Sequence, residues 1–146
     1  PLVDGYDFGG RILPARQVGG DFYDAFPIDG SGRIALAVAD VCDKGVGAAL
    51  FMALYRTMLR VGAARNGPGS TADPAAALSL VNDYIATIHG RSNMFATVFF
   101  AVLEPSGGVL TYANGGHEPP LLRRADATLE RLVPTGPAVG MLAEVL

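Results

Sequence analysis

The sequence predicts an α+β fold built mainly from antiparallel strands, and three observations carry that reading. Strand-like runs come first, two long helical patterns follow, and further strand-like runs close the chain, without the strict alternation of a parallel α/β sheet. The runs at 33–41 and 95–103 are apolar on both faces, the pattern of strands covered on both sides. Short turns at 29–32 (DGSG) and 105–108 (PSGG) join neighbouring runs as hairpins, with residues that tolerate positive φ.

Taken in order, residues 6–13 read as a first strand, weakened by Gly9 and Gly10 and closed by Pro14, with loop at 15–20. Residues 21–28 form a second strand and 33–41 a third. In the third, Ile34, Leu36 and Val38 share one face and Ala35, Ala37 and Ala39 the other. A helix runs from 46 to about 65, its core face made by Phe51, Leu54, Tyr55, Met58 and Leu59, with Arg56 and Arg60 one turn apart on a more polar side. NGPGST at 66–71 breaks it. Asp73 as N-cap and Pro74 at the first helical position start a second helix, whose Leu78, Val81, Ile85 and Ile88 step by three and four. Two consecutive helices with apolar faces predict a helical layer lying on a sheet. Residues 89–93 are a loop and 95–103 a central strand. Residues 109–113 are its hairpin partner, 114–120 a second glycine-rich turn, and 121–124 and 129–133 short strands.

At 146 residues the chain is one domain or most of one, long enough to bury roughly 70% of its unfolded surface. Half the residues are hydrophobic and mean hydropathy is +0.32, but every apolar stretch near the roughly 18 residues of a membrane span is interrupted by charge or glycine. No signal-peptide pattern is present, and a single cysteine forms no internal disulfide, so a reducing cytoplasm is the expected setting. A net charge of −3 without a basic block argues against nucleic acid as a partner. The opening at Pro1 and the apolar run MLAEVL at 141–146 predict a domain cut from a longer protein and lacking its C-terminal part.

The candidate site is acidic. Asp40 stands at the exit of a buried strand, where a charge is costly unless paired or bound to a metal. Asp21 follows Gly19 and Gly20 at the start of the preceding strand. If the two strands are antiparallel neighbours, both aspartates meet at one sheet edge, an arrangement suited to Mg²⁺ or Mn²⁺. The plain alternative, Asp40 as the cap of the next turn, stays open on spacing alone. Gly45-Val46-Gly47 lacks the third glycine of a dinucleotide fingerprint, Leu50 standing in its place, so these glycines serve a sharp turn. Cys42 lacks the arginine six positions on that a cysteine phosphatase needs and reads as a small core thiol. His117 reads as a turn residue with a catalytic role as the sharper alternative. Asp43 and Lys44 read as turn residues, with attraction of an anionic substrate as a further use of Lys44; Asp24 reads as exposed, with support of the metal ligands as its alternative; and Arg16 reads as either a phosphate fork or a solvated side chain.

With these pieces placed, the chain resembles the SpoIIE/RsbU-type serine phosphatases of the metal-dependent protein phosphatase (PPM) superfamily. The resemblance rests on ARQVGGDFYD at 15–24, VADVCDKGVGAALFM at 38–52, NMFATVFFAVLEP at 93–105 and LTYANGGHEPPLL at 110–122, four blocks in family order. It implies a four-layer α-β-β-α sandwich of mainly antiparallel sheets with helices outside, and two Mn²⁺ or Mg²⁺ ions held by aspartates. Asp21 matches a terminal ligand and Asp40 the aspartate that bridges both ions, with the carbonyl of Val41 as a further ligand. Ala39 stands where the family commonly has glycine, a tolerable change. The family's later Asp-Gly motif and final acidic ligand fall beyond residue 146. Two ions about 3.5–4 Å apart would activate a water for in-line attack on phosphorus, with no protein nucleophile. The implied substrate is phosphoserine or phosphothreonine on an anti-sigma factor antagonist of the STAS type. A fused sensory domain is implied as well, and a homodimer is left open. The rival reading is a catalytically inactive regulatory or binding module of the same fold.

Overall fold

The computed structural model describes residues 3, 5–13, 18–28, 30, 32–64 and 73–143. Arg16, the break at 66–71, Asp29 and Ser31 of the first hairpin turn, and the last three residues of the 141–146 run lie outside the described residues. The elements are β1 (Phe22–Ile28), β2 (Arg33–Val41), α1 (Val46–Ala64), α2 (Pro74–His89), a 3₁₀ turn at Gly90–Ser92, β3 (Ala96–Glu104), β4 (Val109–Gly115), β5 (Leu121–Arg123) and β6 (Leu129–Arg131). β1 to β4 form one antiparallel sheet in sequence order, and β5 and β6 a separate two-stranded ribbon. The α+β class and the antiparallel hairpins are as the sequence predicts.

Both helices lie on one face of the sheet, α1 over β1 and β2, α2 over β3 and β4. The small Ala35, Ala37 and Ala39 point at that layer, with Tyr55 and Leu59 of α1 and Val81 of α2 buried in the same cluster. Small strand residues let large helical ones descend to the sheet, filling the space at interior density. The opposite face packs Phe99 and Ala101 against Leu132, with Leu36, Tyr112 and Leu122 at the margin, so the ribbon forms a partial third layer. At the hairpin end of this face a cavity of about 290 Å³ opens between Tyr6, Leu110, Tyr112 and Leu132.

The second helix starts as its sequence predicts: Asp73 Oδ1 accepts from the Ala75 N–H at 2.9 Å, and Pro74 fills the first position, where no N–H is needed. Four expectations are corrected. Residues 7–13 form no strand; Tyr6 only bridges back to Val3, since Gly9 and Gly10 weaken the run and no strand among the described residues pairs with it. His89 ends α2 rather than opening a loop, and Ile88, expected on the core face, is exposed. Asn114 and Gly115 extend β4 instead of starting the turn. α1 has the length and mean hydropathy of a membrane span, interrupted by Gly47, Arg56, Arg60 and Gly62. Its Tyr55 and Leu59 nevertheless pack into the core.

Past β6 the chain returns as a strap across the helix-side end of the sheet. Val139 exchanges both backbone hydrogen bonds with Ala96 (3.0 and 2.8 Å), and its carbonyl also accepts from the buried Tyr55 hydroxyl at 2.7 Å. The Gly140 N–H donates to Asn82 Oδ1 and Asn82 Nδ2 to the Leu142 carbonyl, both at 2.9 Å. The strap ties both helices to the end of β3 where the acidic residues gather.

Candidate metal centre

The register brings the two aspartates together. Phe22 pairs with Ala39, so Asp21, one residue before β1, falls level with Asp40, one residue further along β2. Both carboxylates are exposed at the sheet edge. Partial burial raises the Asp40 carboxyl above its ordinary 3.8; the Asp21 carboxylate, close enough to share a hydrogen bond, raises it further, while His117 acts the other way. Two carboxylates in contact repel when both are ionised, and a proton or a cation relieves them.

Gly20 makes the approach possible. A Cβ at that position would stand 2.6 Å from the Val41 carbonyl oxygen and 3.0 Å from the Val41 Cβ. The loop before Asp21 therefore lies directly on Val41, and the Val41 carbonyl faces the Gly20–Asp21 turn. Two carboxylates and one carbonyl form an all-oxygen set of the kind that hard divalent cations take. The donors present thus fit Mn²⁺ or Mg²⁺. Among the described residues no group of three or more His, Cys, Asp or Glu side chains converges.

Beyond Asp40 the turn is as predicted: Asp43 (φ 73°) and Gly45 (φ 83°) take left-handed conformations, and Asp43 Oδ1 accepts from the Lys44 N–H at 2.8 Å. Lys44 is exposed beside the acidic edge. Cys42 is half-buried rather than a core thiol. Its Sγ accepts from the Phe95 N–H at 3.2 Å and approaches the Asn93 carbonyl at 3.5 Å, tying the turn to the start of β3.

Sequence reasoning missed Thr97 and Asn114. Thr97 pairs with Asp40 across β2 and β3, and its Oγ1 lies 2.8 Å from His117 Nδ1. The available signal was a lone hydroxyl in an otherwise apolar strand. Asn114 is wholly buried, and its side chain is the frame of the 114–117 turn. Its Oδ1 accepts from the His117 N–H (2.8 Å), and its Nδ2 donates to the carbonyls of His117 and Leu132 (3.1 Å each). Asp21, Asp40, Thr97 and His117 thus run in a row along one edge, delivered by four separate segments.

Asp24, expected to be exposed, is 8% exposed on the helix side of β1. Both Arg56 and Arg60 grip it with two hydrogen bonds each, at 3.0 and 3.3 Å and at 2.7 and 2.8 Å. It fastens α1 to the strand that begins at the acidic edge.

The family model for Stage II sporulation protein E (SpoIIE) matches residues 30–145. The chain is similar to protein IcfG of Synechocystis sp., 45% identical over 163 residues that cover 97% of this chain and 26% of that protein. It is similar to phosphoserine phosphatase RsbU of Bacillus subtilis, 31% identical over 119 residues covering 82% and 33% respectively. Among solved structures, the RsbU and RsbW domains of Rv1364c from Mycobacterium tuberculosis superpose with a TM-score of 0.68 at 33% identity, over 88% of this chain and 34% of that one. The chain spans about a quarter to a third of the length of these relatives.

Proposed function

The chain belongs to the Stage II sporulation protein E (SpoIIE) family, and from that premise we propose that it is the catalytic part of a protein phosphatase. It hydrolyses phosphoserine or phosphothreonine on a regulatory protein, an anti-sigma factor antagonist of the STAS type, in the cytoplasm. The observation that carries the reading is the level placement of Asp21 and Asp40 at one end of neighbouring strands, with the Val41 carbonyl oxygen against Gly20. Asp21, Asp40 and the Val41 carbonyl would hold the metal. Bound Mn²⁺ or Mg²⁺ supplies an activated water and screens the phosphoryl oxygens. The protein's own part is to hold the acidic edge rigid. The Asp24 clamp fixes β1 against α1, Gly20 seats the loop on Val41, and the Cys42–Phe95 contact fixes the turn beyond Asp40.

The rival, a binding module of the same fold, draws on the small donor set: two carboxylates without a third converging acidic side chain among the described residues. Phosphate release from a phosphoserine STAS protein by the full-length protein decides between them, measured with and without Mn²⁺ beside Asp40→Asn. Metal-dependent release that the variant loses is the expected result. A folded protein that releases nothing with or without Mn²⁺ establishes the rival.

A further inference from the structure

We propose that His117 is a catalytic residue of this edge, donating from Nε2 to the serine or threonine oxygen as it leaves phosphorus, with Thr97 and Asn114 as its positioning residues. The proposal rests on the phosphatase reading above. The main chain of residue 117 already closes its turn through Asn114, whose side chain grips both the N–H and the carbonyl. Any residue could supply those two groups, so the turn does not explain an imidazole. The ring itself is half-buried and held by one contact, Nδ1 to Thr97 Oγ1 at 2.8 Å. Thr97 stands directly across the strand pair from Asp40, so the contact parks the ring beside the acidic edge. Nε2 has no hydrogen-bond partner among the described residues.

Two further observations fix the ring's place. Gly116 takes φ 69°, and a Cβ there would stand 3.0 Å from the Ala138 N; one on Gly115 would stand 2.7 Å from Val139 Cγ2. The turn is thus pressed against the strap and cannot swing freely. A metal-ligand role is the weaker use of this ring, because hard Mg²⁺ and Mn²⁺ favour oxygen donors over imidazole.

The chemistry needs such a donor. Serine leaves phosphorus as an alkoxide, a strong base. As the phosphorus–oxygen bond breaks, the Nε2 proton passes to the departing oxygen. The attacking water supplies the oxygen of the new phosphorus–oxygen bond, and one of its protons returns to the ring through solvent. The products are the free hydroxyl and inorganic phosphate.

The test compares wild type, His117→Gln, His117→Ala and Thr97→Val in the full-length protein with Mn²⁺, on a phosphoserine peptide and on p-nitrophenyl phosphate. The nitrophenolate leaves as a stable anion and needs no proton. His117→Gln should lose ~10²–10⁴-fold in kcat on the peptide, and at least ~10-fold less on the aryl phosphate, the range of general acid catalysis. Thr97→Val should lose activity in the same substrate-selective sense. Mn²⁺ affinity by calorimetry should match wild type in all variants. Equal losses on both substrates, or Mn²⁺ affinity falling in step with activity, would overturn the role of His117 and leave the phosphatase reading intact. Wild type inert on both substrates overturns the phosphatase reading instead.

Discussion

Asp24 stands in phase with Phe22 and Phe26 on the covered side of β1, where a lone carboxylate would be costly. Arg56 and Arg60 remove that cost, and the Arg60 guanidinium also lies over the Phe26 ring, 4.4 Å from its centre. Burial pushes the Asp24 carboxyl up, but the hydrogen bonds from Arg60 and Arg56 and their charges outweigh it and hold the carboxyl below its ordinary 3.8. The sign follows from linkage: a lowered folded value stabilises the fold above 3.8, and that contribution disappears as pH falls through the lowered value. Asp24→Asn should therefore cost on the order of 2 kcal/mol at neutral pH, less than a fully buried pair because both arginine side chains remain half-exposed. Urea unfolding at neutral pH and well below 3.8 checks it. The two proteins should converge in acid, and a cost that persists there unchanged would show that packing, not charge, is what Asp24 supplies.

At the scale of elements, the α1–α2 crossing depends on Gly62. A Cβ there would stand 3.3 Å from Ala77 Cα and Cβ, so the helices meet backbone to backbone. Gly62→Leu forces them apart and should destabilise by roughly 1–3 kcal/mol, against at most about 1 kcal/mol recovered from helix propensity. Chemical denaturation measures it, and a leucine variant as stable as wild type would mean that the helices slide without loss. The elements that were legible in the sequence are those whose signals are local. β2 ends where its apolar alternation ends, and α2 begins at an Asp-Pro pair that carries its own cap. Residues 6–13 look like a strand by composition but, Tyr6 bridging to Val3 aside, pair with no strand among the described residues, and pairing is what makes a strand. β4 continues through Asn114 and Gly115 because both pair with β3, and the strap bonds to Asn114 from the other side, a fact that only the tertiary fold contains. Asp24 was misread for the same reason, its arginines lying 32 and 36 residues away.

For the molecule as a whole, the acidic edge was half legible. Asp21 announces itself as a carboxylate after two glycines and Asp40 as a carboxylate at the exit of an apolar run, at the start and end of two runs joined by a tight turn. His117 stood in a glycine-rich turn legible in the sequence, but its place beside Asp40, and that of Thr97, comes only from the β2–β3 register and the Thr97–His117 contact. The row they form predicts how the entire fold responds to metal. In the metal-free protein Asp21 and Asp40 oppose each other, so the native state carries a like-charge contact that unfolding relieves. A cation bound by the folded chain and not by the unfolded one stabilises the protein in proportion to the logarithm of one plus the ratio of its concentration to Kd, about 2.7 kcal/mol at a hundred times Kd. Mn²⁺ should raise the Tm of wild type and a chelator should reverse the gain. Asp40→Asn, with the opposing charge gone, should equal or exceed metal-free wild type in stability and ignore Mn²⁺. Thermal unfolding of both proteins with Mn²⁺ and with chelator reads all four values. A variant less stable than metal-free wild type would mean that a proton shared between Asp21 and Asp40 holds the edge together. A wild type indifferent to Mn²⁺ would mean that two carboxylates and one carbonyl do not suffice as a cation site.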